Sequence, residues 1–171
     1  MLEALKEFIS GLGDEGHSEV ARGEADARLA AAALLFHIAD LDGIVQPSET
    51  AKLRALLAER FGLDQAQTSR LVADARRIDR EAVDLFHFTT VLKRSLDHAG
   101  LLKVLEMMWE IAFADGRPDE LEENTIWRVA ELLGVSSRER IGLRQRVSEQ
   151  AAAEPTTAED SPAPWGRADP Q

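Results

Sequence analysis

Two short stretches carry the chemistry this sequence offers. IADLDGIVQPSE, Ile38 to Glu49, and IAFADGRPDELE, Ile111 to Glu122, both read Ile-Ala, then Asp-Gly, then five residues and Glu, at a constant offset of 73. Asp42 with Glu49, and Asp115 with Glu122, place oxygen donors at both ends of a chain reversal, and Asp40 adds a third carboxylate to the first copy. Carboxylates crowded at one turn repel each other and gain from a positive charge. Hard cations such as Ca²⁺ and Mg²⁺ take such oxygen ligands. The expected metal residues are therefore Asp40, Asp42 and Glu49 at the first turn and Asp115 and Glu122 at the second, for a divalent cation at one or both turns, with no organic cofactor.

These residues share a ligand only if the helix stops between them. Two positions along a helix rotate a side chain by about 200°, so a continued helix would send Asp40 and Asp42 to opposite faces. Gly43 and Gly116 supply the tight backbone for the break. A second helix then starts at Pro47 in one copy and after Asp119 in the other, with Glu49 and Glu122 on its first turn. The same residues have a purely structural use. Asp119-Glu-Leu-Glu122 has the form of a capping box, and a first-turn Glu suits the helix dipole without any ion. An EF-hand also sets Gly and its last Glu six apart, but its first ligand would fall on Ile38 and Ile111, and its third on Asp40 in one copy and Phe113 in the other.

Other side chains add little chemistry. His37 lies three residues before Asp40 on one helical face, which makes it a candidate neighbour of the first turn. His37, His87 and His98 form no metal-binding spacing. Met107, Met108 and Trp109 read as core filling. There is no P-loop, no Gly-x-Ser-x-Gly and no dinucleotide fingerprint, so no enzyme is expected. Without cysteine there is no thiol catalysis and no disulfide.

The elements that must position the turns are all helical. Apolar residues recur at three and four, with no period-two runs. A helix from about Ser18 runs to the first turn, and its Ala30 to Ala33 are small enough for close approach by another helix. Pro47 opens a helix ending at Phe61-Gly62, and Asp64 caps the next, to about Arg77. Asp84 and Asp97 cap two more, the second apolar on most of its circumference and hence buried. After the second turn a helix ends at Gly134, and Ser136 caps the last. The order helix, acidic turn, helix, Gly stop, short helix thus occurs twice. Two copies imply pseudo-two-fold packing in a compact all-α bundle of about seven to eight helices, not a solenoid. Residues 1–16 read as an amphipathic arm and Gly-rich linker, 17–150 as the helical domain, and 151–171, with four of the six prolines, as a disordered tail holding Trp165.

The doubled Ile-Ala-x-x-Asp-Gly-x5-Glu in an acidic all-helical setting resembles the TerB family associated with tellurite resistance, over about Ala27 to Val147. The resemblance implies a compact helical cytoplasmic module whose two acidic turns have been proposed to bind a divalent metal, through positions matching Asp42, Glu49, Asp115 and Glu122. The family's apolar residue two after the Gly is kept as Val45 and replaced by Pro118 in the second copy. On that pattern the first turn is the better ion site and the second the better helix cap. The expected function is a non-enzymatic part in tellurite, metal or envelope stress, exerted through protein partners. The alternative is a structural interaction domain whose acidic turns only cap helices.

Composition narrows the partners. The chain has 171 residues, 44% of them hydrophobic, which suits one domain with a real core. A formal charge of −11 repels nucleic acid, so none is expected as a partner. No signal peptide is visible, and the longest apolar run, Leu29 to Phe36, falls far short of the roughly 20 residues of a membrane span. A cytoplasmic location is expected, with peripheral membrane association open to the N-terminal helix.

Overall fold

The computed structural model describes residues 15–41, 43, 47–82 and 84–153. The arm up to Asp14, Asp42, Val45 and the tail with Trp165 lie outside the described residues. Seven helices occur among those described, and no strand: α1 (Glu15–Ala39), α2 (Pro47–Phe61), α3 (Gln65–Glu81), α4 (Phe86–Ser95), α5 (His98–Ala112), α6 (Glu120–Leu133) and α7 (Ser137–Ala153). The first helix begins three residues ahead of Ser18, and the last continues past residue 150 to Ala153.

The capping residues set these boundaries. Asp64 accepts the Gln67 N–H at 2.8 Å, while the Gln67 side chain accepts the Asp64 N–H at 3.0 Å, a complete capping box at the start of α3. Asp97 accepts the Gly100 N–H at 2.8 Å to open α5. Asp84 is not the cap of α4 as expected: the N-cap is Leu85, without a side-chain cap bond, and Asp84, one residue earlier, accepts the Phe86 N–H at 2.9 Å. α6 stops at Gly134, whose φ of 76° is left-handed.

The core follows the alanine run. Ala30 to Ala33, Leu34, Leu35 and Ile38 of α1 are all buried, as are Leu101, Leu105, Met108, Trp109 and Ile111 of α5. α1 and α5 pack on each other, and each also carries its own followers: α1 holds α2 and α3, α5 holds α6 and α7. The packing repeats as the sequence does. α4 joins the two units, lying on α1 and α6.

Polar contacts fasten the second unit. Arg144 of α7 pairs with Glu123 of α6 and lies 5.6 Å from the Trp109 ring centroid; Arg140 stacks 4.5 Å over Trp127. His98 Nε2 and Glu139 Oε1 meet at 2.7 Å, tying the starts of α5 and α7. The Ser136 hydroxyl and then His98 hold the Glu139 carboxyl down at about 2. Arg60 of α2 reaches Glu110 of α5 at 3.0 Å, and burial raises the Glu110 carboxyl against the pull of Arg60 and Lys52.

Candidate acidic cleft

Both turns are built by the same backbone hydrogen bonds. In the first, the Asp40 N–H donates to Phe36 C=O at 3.0 Å and the Gly43 N–H to Asp40 C=O at 3.0 Å. In the second, the Phe113 N–H donates to Trp109 C=O at 2.9 Å and the Gly116 N–H to Phe113 C=O at 3.2 Å. Each residue of the first set maps onto the second at the offset of 73, so the sequence repeat is a conformational repeat. Gly43 and Gly116 have φ of 72° and 134°, a region in which a β-carbon is strained.

What the turns build is shared. Glu49, on the first turn of α2, lines one small cleft with Asp115, Asp119 and Glu122 of the second turn, against Ile38, Ala39 and Leu41 from the end of α1. Arg117 is the guanidinium on its wall. The cleft measures about 90 Å³. A single water occupies a cavity of roughly 10–15 Å³ on this measure, so the space has room for several waters.

Glu122 is strongly perturbed in it. Its side chain is 9% exposed and Glu49 is 6% exposed. Asp119 Oδ1 accepts the Glu122 N–H at 2.8 Å, and Glu122 Oε2 accepts the Asp119 N–H at 2.8 Å, so the expected capping box is present. Burial pushes the Glu122 carboxyl up to about 7, against the lowering effect of the Asp119 N–H; the charges of Asp119, Asp115 and Glu49 push it further up. Capping uses one oxygen of Asp119 and one of Glu122, leaving the other oxygen of each outside the box.

Of the five residues expected to bind metal, the structure brings Glu49, Asp115 and Glu122 together. Asp40 does not line the cleft, and Asp42 lies outside the described residues. The described part of the cleft draws three of its four carboxylates from the second turn, whereas the sequence favoured the first. Among the described residues no group of three or more Asp, Glu or His side chains is close enough to hold an ion directly. His37 does not join Asp40 either: its Nδ1 meets Asp79 Oδ1 of α3 at 2.8 Å. Asp119 and Arg117 were the residues outside the expected set. The signal for Asp119 was its cap position, and for Arg117 its place directly after the Asp-Gly pair.

An acidic helical module, made of one repeated unit whose two turns meet at a common carboxylate cleft, is the class these features define. The family model described as tellurite resistance protein TerB matches residues 28–145, well over half of the chain. The chain belongs to the TerB family. No curated protein and no solved structure matches it.

Among the described residues no helix is long and apolar enough to cross a membrane.

Proposed function

We propose that this is a non-enzymatic cytoplasmic module that binds one divalent cation in the shared cleft and acts through protein partners in tellurite, metal or envelope stress. The observation that carries the reading is the meeting of Glu49 with Asp115, Asp119 and Glu122, whose charges add to burial in raising the Glu122 carboxyl to about 7. A cation offsets that repulsion, and the donor set is all oxygen, which selects a hard ion. With the side chains spread around about 90 Å³, some of the ion's ligands would be waters. Calcium or magnesium suits this partly hydrated arrangement.

One observation favours the structural alternative. Asp119 and Glu122 already cap α6 reciprocally, and Arg117 brings a competing positive charge. The two readings separate in one experiment. Thermal melts of the full chain at pH 8 with millimolar Ca²⁺, Mg²⁺, Mn²⁺ or Zn²⁺ should show a higher Tm for the wild type and a reduced gain for Asp42→Asn/Glu49→Gln and for Asp115→Asn/Glu122→Gln. A ligand that binds only the native state must raise its stability. If no ion raises the wild-type Tm, the cation reading is lost and the capping role stands alone. Tellurite sensitivity of cells lacking the gene, restored by the wild type and not by the double variants, tests the cellular part.

A further inference from the structure

The last turn of α1 separates the acidic cleft from a larger one. His37 lines the second cleft, which measures about 490 Å³ and is walled by the α3–α4 link, the head of α4 and one face of α6. That volume lies inside the roughly 300–1,000 Å³ of small-molecule sites. Its walls mix apolar area with a few charged groups, the composition such sites have.

The charges are specific. Arg128 of α6 is exposed and makes no ion pair with any described residue. Asp84, on the α3–α4 link, is exposed, and one of its oxygens accepts the Phe86 N–H, leaving the other outside that bond. His37 Nδ1 and Asp79 Oδ1 engage each other within the cleft by their 2.8 Å contact. Arg128 and the second Asp84 oxygen are the charged groups left to a ligand, on different walls. Phe86 lines the same cleft and is 62% exposed, the most exposed large apolar side chain among the described residues, with Leu132 on the α6 wall.

We propose that this cleft binds a small zwitterion with an apolar body, of the size of a short apolar peptide. Arg128 takes its carboxylate, for which the planar guanidinium fork is suited. Asp84 takes its ammonium. Phe86 and Leu132 cover its apolar side chains, which accounts for a phenyl ring left in water. A plain anion would meet Asp84, and a plain cation would meet Arg128, so a ligand carrying both charges leaves neither group opposed. His37, held at Nδ1 by Asp79, presents Nε2 as a further polar contact for the peptide amide.

The test uses leucyl-leucine, its N-acetylated form, its C-amidated form and free leucine, titrated into the full chain and followed by calorimetry and amide chemical shifts. Leucyl-leucine is expected to bind at micromolar to millimolar concentration, with shifts at Phe86 and Arg128. Each cap should weaken binding at least tenfold, and free leucine should bind more weakly than the dipeptide. Arg128→Gln should match the loss from C-amidation and be insensitive to that cap while remaining sensitive to acetylation, as expected for directly coupled partners. Asp84→Asn should show the converse, and because the Asn side-chain oxygen can still accept the Phe86 N–H, the fold is kept. Unchanged far-UV circular dichroism and Tm confirm folding of both variants. Equal binding of capped and free peptides, unaltered affinity in both variants, or no shift with any of the four compounds at millimolar concentration would each overturn the proposal. Neither cleft's outcome decides the other, since no ion is added in this titration.

Discussion

Glu49 and Glu122 occupy equivalent first-turn positions of α2 and α6, 73 residues apart, and both are buried against one cleft where the charge of Glu49 raises the proton affinity of Glu122. Duplication therefore has an energetic consequence. Each turn folds through its own backbone bonds, but their carboxylates are not independent.

The first prediction concerns pH. The Glu122 carboxyl is raised from 4.5 to about 7 in the folded chain, so between those values the folded state binds more protons than the unfolded. Its stabilising contribution is complete below about pH 4.5 and is lost as pH rises through 7. The loss is on the order of 3 kcal/mol at most, taking about 1.4 kcal/mol per unit. Thermal melts from pH 5 to 8 in the absence of divalent ions should show falling stability for the wild type and a flatter profile for Glu122→Gln. Gln keeps the capping interaction, so the variant isolates the charge. Identical profiles would refute the coupling.

Glu49→Gln should act at a distance along the chain. Removing one of the charges that raise Glu122 should bring its titration midpoint down from about 7 toward the usual carboxylate range. Side-chain carboxyl chemical shifts of Glu122 report this directly. A midpoint that stays in place would mean the two turns do not sense each other.

Backbone conformation gives a pair of opposed predictions. Gly134 ends α6 with φ of 76°, and a β-carbon there would meet no atom, so Gly134→Ala tests strain alone and should cost about 1 kcal/mol. Gly142 lies inside α7 with nothing near its β-position, so Gly142→Ala should stabilise by about 0.4–1 kcal/mol. Urea denaturation of the two variants should move the midpoint in opposite directions.

The alanine run allows a packing test. Ala32 and Ala33 are fully buried where α1 contacts its neighbours. Ala33→Leu forces added methyl groups into a filled core and should cost about 1–3 kcal/mol. Calorimetric melting measures the loss, and an unchanged Tm would show slack that the packing does not have.

The helices were legible because their signals are local. Asp64, Asp97 and Asp119 each cap within three residues, and Gly134 stops its own helix, so sequence spacing was sufficient to find them. The site was legible only in its parts. Spacing showed that Asp115 and Glu122 belong to one turn, but their meeting with Glu49 depends on how α1, α2 and α5 pack, which no local pattern records. His37 shows the same limit. Its near neighbour in sequence is Asp40, yet its hydrogen bond goes to Asp79, 42 residues away on α3, because α1 and α3 lie side by side.

The last prediction joins the cation to the proton. A carboxylate must be ionised to receive a cation, so ion binding in the cleft competes with protonation of Glu122. With that carboxyl near 7, binding at pH 6.5 should release a substantial fraction of one proton, and at pH 8.5 almost none. Calorimetric titration of Ca²⁺ or Mg²⁺ in two buffers of different ionisation heat measures the released protons, and the apparent affinity should rise with pH over the same interval. Glu122→Gln should abolish the buffer dependence even where some binding remains. If binding is found and is equally buffer-independent in wild type and variant, the ion sits away from Glu122 and the shared cleft is not its site.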